Sequence, residues 1–240
     1  MTTVSDAATQ KSYARPLLAT NAVVAWLGVA ISFTLSISGY YLGSEKLDKQ
    51  SILGNVPSGH DSPLERFLDW STYFTIVSNI TVAVVLTVLV LRPALFTRED
   101  RVGGIWRALR LDSVLMIVIT GIFYWLLLAE GGKTGWDLVD NTMVHTITPI
   151  VTVVVWLVAG PRGLVSRRTI APALVLPLAW AAYAIARGKV VGAYPYPFLD
   201  VSTQGLVAVL GFLLVIVAFG VVVALAMLAV DRLLVRRSRA

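Results

Sequence analysis

Long apolar stretches separated by short polar segments make up most of this chain. Six stretches predict membrane-spanning helices over residues 16–43, 67–91, 110–129, 140–160, 169–187 and 203–230. Each is close to the roughly 20 residues that a helix needs to cross the hydrocarbon core of a bilayer. The polar segments between them are too short to form a core of their own. We therefore expect residues 1–240 to form one all-α domain, a polytopic bundle of six transmembrane helices.

Polar residues in the second and fourth predicted spans recur every three or four positions, which places each set on one helical face. The second span carries Ser71, Thr72, Thr75, Ser78 and Asn79. The fourth span carries Asn141, Thr142, His145, Thr148 and Thr152. Thr75 and His145 both lie on the order of 10 Å below the outer ends of their helices, at a rise of 1.5 Å per residue. If the two faces meet, the Thr75 hydroxyl and the His145 imidazole come within hydrogen-bonding distance.

The first and third spans carry weaker polar stripes, for which helix packing is the favoured interpretation. These stripes contain Ser32, Ser36, Tyr40, Ser113, Thr120 and Tyr124. Small hydroxyl side chains let membrane helices approach closely and bond to each other.

Two further signals concern helix geometry. Ser62-Pro-Leu-Glu65 is a capping-box pattern that predicts a helix start near Ser62. Pro149 removes the helical hydrogen bond to the His145 carbonyl and predicts a kink beside the histidine.

Composition supports the membrane assignment. Hydrophobic residues make up 57% of the chain and charged residues 14%, with a mean hydropathy of +0.77, more apolar surface than a soluble domain of this length can bury. The net charge of +6 comes from Lys and Arg clustered between the apolar stretches. This distribution predicts contact with anionic lipid headgroups and argues against nucleic acid. Fourteen of the 20 Lys and Arg residues fall on one side, which predicts that both termini are cytoplasmic. The absence of cysteine excludes disulfides and thiolate sites.

His145 is the main candidate for chemistry, because an ionisable side chain inside a span is costly and is often functional. Neutral imidazole can take the proton of a threonine hydroxyl and so activate it as a nucleophile. Other uses of a membrane histidine are a buried hydrogen bond, a haem ligand, a quinone contact or a proton relay. Paired histidines are expected for bis-histidine haem, and the other histidine, His60, lies in a polar loop. A non-enzymatic lipid or small-molecule binder or transporter is the main alternative to an enzyme.

Two motifs resemble a known family. Met143-Val-His-Thr-Ile-Thr-Pro149 is similar to a Met-His-Thr-Thr-x-x-Pro stretch of the androgen-induced and androgen-dependent-TFPI-regulating membrane proteins. Tyr194-Pro-Tyr-Pro-Phe-Leu-Asp200 is similar to the Tyr-Pro-Phe-Leu-Glu loop before that family's last helix. The chain also resembles bacterial six-helix proteins with these motifs, which implies a bacterial cytoplasmic membrane. The family are threonine hydrolases that cleave fatty acid esters of hydroxy fatty acids, without a metal or organic cofactor.

The resemblance implies that His145 is the catalytic histidine and Thr75 the nucleophile, acting on an acyl-chain substrate among the membrane lipids. The residue that orients the imidazole is open among Asn141, Asn79, Asp140 and Asp200. Oxyanion stabilisation is assigned to Asn79, Asn141 or a backbone N–H near Pro149. The substrate-binding residues are expected to be Ser78, Asn79, Tyr124, Asn141, Thr148, Tyr194, Tyr196, Phe198 and Asp200.

The Tyr194–Asp200 loop lies on the outer face in the expected topology, on the same side as Thr75 and His145. One interpretation is an aromatic belt that anchors the loop at the membrane interface. The other is a lid or pocket wall over an acyl substrate. Arg187 and Lys189, at the end of the preceding helix, could bind a lipid carboxylate or phosphate.

Overall fold

The computed structural model describes residues 14–42, 62–129 and 131–237, which form helices and no strands. The main helices are α1 (Ala14–Ile37), α2 (Pro63–Thr72), α3 (Phe74–Leu91), α4 (Arg101–Leu128), α5 (Gly135–Ala159), α6 (Arg167–Val191) and α7 (Leu206–Arg237). All except α2 are long and apolar enough to cross a membrane. The predicted all-helical class and the six candidate spans are thus confirmed, as expected for an integral membrane protein.

Two helices have boundaries that differ from those of the predicted spans. The span predicted over 67–91 consists of α2 and α3, which are separated by an extended residue, Tyr73 (φ −73°, ψ 132°). The helix that contains the span predicted over 110–129 already begins at Arg101, where the Asp100 side chain caps it by accepting the Gly103 N–H at 3.0 Å. An N-cap of this kind satisfies a backbone donor that has no partner within the helix. Charged residues that were expected in a loop therefore belong to α4.

The start of α2 follows the capping-box prediction. The Ser62 hydroxyl accepts the Glu65 N–H, and the Glu65 carboxylate accepts the Ser62 N–H at 2.9 Å. This reciprocal pair fixes the first turn of α2. The second span therefore begins with a separate short helix, in which Asp69, Trp70 and Thr72 are buried, whereas Leu64, Phe67 and Leu68 are exposed.

Contacts with other helices hold the break at Tyr73 in place. The Trp180 indole N–H donates to the Thr72 carbonyl at 2.8 Å, so α6 satisfies an acceptor at the end of α2. Asp69 of α2 and Arg187 of α6 form an ion pair at 2.5 Å. Burial raises the pKa of Asp69, and the contact with Arg187 opposes that shift. Because Arg187 is already paired, its predicted role in binding a lipid anion is not supported.

The core lies where α4 crosses the other helices. α4 contacts α3, α5, α6 and α7, and α1 packs against α3 and α5. Leu18, Leu86 and Ile117 are fully buried where α1, α3 and α4 meet. Most side chains of α7 are exposed, which suits a helix at the lipid-facing edge of the bundle.

Hydroxyl and amide side chains join the helices inside this core. Ser78 of α3 and Thr120 of α4 bond at 2.7 Å, and Thr152 of α5 donates to Asn21 of α1 at 3.1 Å. The packing interpretation therefore applies to Thr120, the central member of the weaker stripe on α4. It also applies to Ser78, which belongs to the stripe of Thr75.

Candidate active site

Thr75 and His145 face each other across the interface between α3 and α5. The Thr75 Oγ1 atom lies 3.1 Å from His145 Nε2, which is hydrogen-bonding distance. Thr75 is the second residue of α3, directly after the break at Tyr73. His145 is partly exposed, and its ring stacks on Tyr124 of α4 with centroids 3.9 Å apart. The proximity expected from the two polar stripes is thus present in the structure.

Pro149 and a widened helical turn set the position of His145. Residues Met143–Ile147 form a π-helical turn, at whose end the Thr148 N–H bonds to the Met143 carbonyl. Such single π-turns often occur at functional sites. Pro149 has no N–H to offer the His145 carbonyl, so a regular α-helical ladder cannot continue here. The kink predicted at Pro149 therefore takes the form of a wider turn, which carries His145.

The main chain of Asn141 holds the imidazole in one tautomer. His145 Nδ1 lies 3.1 Å from the Asn141 carbonyl oxygen. A carbonyl can only accept, so Nδ1 carries the proton, and Nε2 is left as the acceptor that faces Thr75. Both ring nitrogens of His145 then have a hydrogen-bond partner. Of the candidate orienting residues, Asn141 is the one that contacts the ring, and it does so through its backbone.

The other three candidates for orienting His145 bond elsewhere. Asn79 donates from Nδ2 to the carbonyls of Thr75 at 2.8 Å and Val144 at 3.1 Å. Asp140 accepts the Tyr41 hydroxyl at 2.6 Å. Asp200 caps the short helix Val201–Gln204 by accepting the Ser202 and Thr203 N–H groups. Because its amide is already committed to tying α3 to the π-turn, Asn79 is also a poor candidate for an oxyanion donor.

Tyr196 was predicted only as a substrate contact, yet it touches the candidate nucleophile directly. Its hydroxyl lies 3.3 Å from Thr75 Oγ1 and accepts the Thr75 N–H at 3.3 Å, beside the Phe74 N–H. These N–H groups belong to the first turn of α3, where helices leave donors without an internal partner. The break at Tyr73 exposes them. The only sequence signal for this arrangement was the Tyr-Pro loop, which gave no indication that it reaches Thr75.

Two cavities meet at Thr75. One cavity of about 310 Å³, which we call the outer cavity, lies where α1 ends and α5 begins, and its polar and aromatic walls include Tyr41, Lys133, Asp137, Asp140, Asn141 and His145. A smaller apolar pocket of about 70 Å³ begins at Thr75 and lies between α4, α6 and α7, with walls that include Phe74, Ile119, Phe123, Leu178, Phe198 and Ile216. Thr75, Tyr124 and Tyr196 line both. The site therefore separates a polar compartment from an apolar one, with the hydroxyl–imidazole pair at the junction.

The predicted substrate-binding residues divide into two groups. Tyr124, Asn141, Tyr196 and Phe198 line the cavities. Ser78, Asn79 and Thr148 have no exposed surface and lie at helix contacts, Tyr194 packs against Gly188, and Asp200 is a helix cap. The structure thus gives the second group packing and capping roles.

In the described part of the chain, no three His, Cys, Asp or Glu side chains lie close enough together to share a metal ion. Comparisons of the chain with protein-family models, with curated proteins and with solved structures give no match.

Proposed function

We propose that this protein is an intramembrane lipid ester hydrolase in which Thr75 is the nucleophile and His145 the general base. One observation carries the proposal. Thr75 Oγ1 lies 3.1 Å from a ring nitrogen of His145 whose other nitrogen is held by a backbone carbonyl. A nucleophile, a base and a group that fixes the tautomer of the base are the parts that covalent acyl transfer requires.

The reaction follows from these positions. Thr75 Oγ1 attacks the acyl carbonyl carbon, and its proton passes to His145 Nε2. The tetrahedral intermediate collapses, the ester C–O bond breaks, and the imidazolium returns the proton to the leaving alcohol oxygen. Water then attacks the acyl-threonine while His145 takes its proton. The fatty acid is released, and Thr75 regains its hydrogen.

The start of α3 and Tyr196 supply donors for the charge that develops on the carbonyl oxygen. In the structure the Tyr196 hydroxyl occupies the space beside the Thr75 N–H. We assign the oxyanion to the place beside these N–H groups, where it displaces the Tyr196 hydroxyl and accepts from the N–H groups at the start of α3 and from the displaced hydroxyl. Burial raises the pKa of Tyr196, so the phenol stays protonated and able to donate at neutral pH.

The two compartments suit the two parts of a lipid ester. The acyl chain lies in the apolar pocket that begins at Thr75, and the leaving alcohol lies near His145, where the outer cavity admits water. The positive-inside rule places both termini in the cytoplasm and the site in the outer half of the bilayer. The motif resemblance makes esters of hydroxy fatty acids the first substrates to assay, and a bacterial cytoplasmic membrane the proposed location.

The test is hydrolysis by purified wild type, Thr75→Ala, His145→Ala and, as a matched control, Thr81→Ala. Thr81 is a buried threonine of α3 that bonds to a backbone carbonyl of its own helix. We expect loss of at least about 100-fold in kcat for the first two variants and little change for the control. Equal turnover in all four proteins would contradict the proposal.

A non-enzymatic lipid binder is the second candidate, because the same apolar pocket would hold an acyl chain without chemistry. A fluorophosphonate probe separates the two functions. Covalent capture on Thr75 that requires His145 supports the hydrolase. An unreacted probe, together with a lipid that copurifies with the protein, supports the binder.

A further inference from the structure

A third space reaches His145 from the lipid-facing side of the bundle. It is a groove of about 610 Å³ between α4 and α5, both membrane-spanning candidates. Its walls include Val118, Ile122, Leu126, Ile150, Val153 and Val154. Apart from His145 and Thr146, the described residues along it are apolar, so hydrocarbon rather than water would fill it. The groove has no role in the steps of the proposed hydrolysis.

The groove and the outer cavity share His145. Gly121 makes this possible, because a Cβ at that position would lie 3.1 Å from the Pro149 Cβ and 3.5 Å from the His145 carbonyl oxygen. A larger residue at position 121 would push α4 away from the kinked part of α5. His145 therefore lies between the outer cavity and an apolar groove that opens toward the bilayer.

One hydrogen bond spans the outer part of this groove. The Trp125 indole N–H donates to the Thr146 hydroxyl at 3.3 Å. Both residues lie in π-helical turns, Tyr124–Leu128 in α4 and Met143–Ile147 in α5. Trp125 is 60% exposed and its ring lies edge-on to Tyr124 of its own helix, so the bond to Thr146 is the hydrogen bond that ties the indole to α5.

We propose that this groove binds the hydrocarbon chain of a bilayer lipid and admits it laterally to the site, with the Trp125–Thr146 pair as its latch. The proposal rests on the proposed function and extends it. Because His145 protonates the leaving alcohol, a chain in the groove belongs to the alcohol side of the ester. The acyl chain occupies the pocket on the Thr75 side. The preferred substrates then carry hydrocarbon on both sides of the ester bond.

The experiment compares two variants that place a tryptophan at equally exposed positions. Ile150→Trp fills the groove, and Val222→Trp on α7 is the control; the two native side chains are 58% and 63% exposed. Each protein is assayed in phosphatidylcholine vesicles with two esters of one acyl chain, a methyl ester and a dodecyl ester with a photoreactive diazirine in its alcohol chain. The site of photolabelling is mapped by mass spectrometry, which gives a readout that does not depend on turnover.

We expect Ile150→Trp to lower kcat/KM for the dodecyl ester about tenfold, because roughly two methylenes of the alcohol chain lose their contact with the groove. The value of kcat/KM for the methyl ester should stay unchanged. The label should fall on α4 and α5 in wild type and leave them in Ile150→Trp. Equal effects on both esters, no effect on either, or labelling spread evenly over the exposed faces of α4 to α7 would overturn the groove assignment. If neither ester is hydrolysed but the groove is labelled, the hydrolase proposal fails and the binding site stands.

The latch is tested by a second matched pair. Thr146→Val removes the acceptor of Trp125, and Thr87→Val removes the acceptor of an equivalent bond, from the Trp26 indole N–H at 3.1 Å. We expect Thr146→Val to raise the labelling rate of the groove at least twofold relative to Thr87→Val, an effect of about 0.4 kcal/mol or more on the opening equilibrium. Equal labelling rates in the two variants would show that the pair is no latch.

Discussion

The candidate site lies between two helix irregularities that supply opposite kinds of hydrogen-bonding group. The break at Tyr73 starts a new helix, so the Thr75 N–H is directed at the Tyr196 hydroxyl instead of a helical carbonyl. The π-turn Met143–Ile147 instead lets the Asn141 carbonyl accept from His145 Nδ1. Donors thus lie beside Thr75, the proposed nucleophile, and an acceptor lies beside His145, the proposed base.

Because of this difference, a helix break could not replace the π-turn at His145, and a π-turn could not replace the helix break at Tyr73. A helix start offers unpaired N–H groups and the positive end of its dipole, which favour an oxyanion. A widened turn next to a proline offers carbonyls that lack regular partners, which favour an imidazolium. In the proposed mechanism each irregularity stabilises one of the two charges that appear in the transition state, and we expect changes to either to affect kcat more than KM.

The largest effect is expected from removing a donor beside Thr75. Tyr196→Phe deletes the hydroxyl that lies 3.3 Å from Thr75 Oγ1 but keeps the ring that packs against Tyr73. We expect kcat for ester hydrolysis to fall on the order of 100-fold, the size measured for loss of one oxyanion donor, with KM nearly unchanged. Tyr194→Phe is the control, since Tyr194 is as buried as Tyr196 and lies in the same loop. Equal rates in the two variants would remove Tyr196 from the donor set.

A smaller effect is expected from regularising the π-turn. Pro149→Ala restores an N–H that can bond to the His145 carbonyl, which favours an ordinary α-helical turn and shifts the imidazole relative to Thr75. A displacement near 1 Å can cost up to about 100-fold, and we expect roughly a tenfold fall in kcat because the rest of the site is intact.

Pro172, which lies inside α6, provides the control for Pro149. Pro172→Ala also restores a backbone donor in a membrane helix, but it leaves the turn at His145 unchanged. Both variants would be measured for kcat and for the rate of fluorophosphonate capture on Thr75. Unchanged capture in Pro149→Ala would show that the π-turn does not position the base.

The two irregularities also differ in how much of them the sequence predicts. Pro149 is visible in the sequence, and the expected distortion of α5 follows from its missing N–H. Residues 71–74 contain neither proline nor glycine, so nothing local predicts the break at Tyr73. The break depends on Trp180 and Tyr196, which are 108 and 121 residues from their partners Thr72 and Thr75. Contacts at such separations belong to tertiary structure and leave no periodic signal.

The polar stripes show a similar division. Spacing in the sequence identifies the faces of α3 and α5 that point inward, and the closeness of Thr75 and His145 follows from it. It does not tell whether an inward residue meets another helix or a cavity. Ser78 and Thr148 are completely buried at helix contacts. Asn141 belongs to the same polar stripe of α5 as Thr148, yet it lines the outer cavity. The catalytic roles themselves stay predictions until hydrolysis is measured.

The smallest effect on kcat, and the clearest effect on the free energy of unfolding, is expected from removing the hydrogen bond between Trp180 of α6 and the Thr72 carbonyl beside the break at Tyr73. Trp180→Phe keeps most of the ring that packs on Phe74 but leaves the Thr72 carbonyl, which is buried, without the indole donor. Loss of such a bond costs about 1–2 kcal/mol in the free energy of unfolding, measurable by denaturant titration in mixed micelles. Trp156→Phe, in a separate core cluster with Leu111 and Val165, reports the cost of the smaller ring alone.

Because the break also places the N–H groups at the start of α3, we expect kcat of Trp180→Phe to fall less than about tenfold but more than that of Trp156→Phe. If both variants lose the same stability and the same activity, the break at Tyr73 is set by the loop that carries Tyr196, and the donor side of the site does not depend on α6.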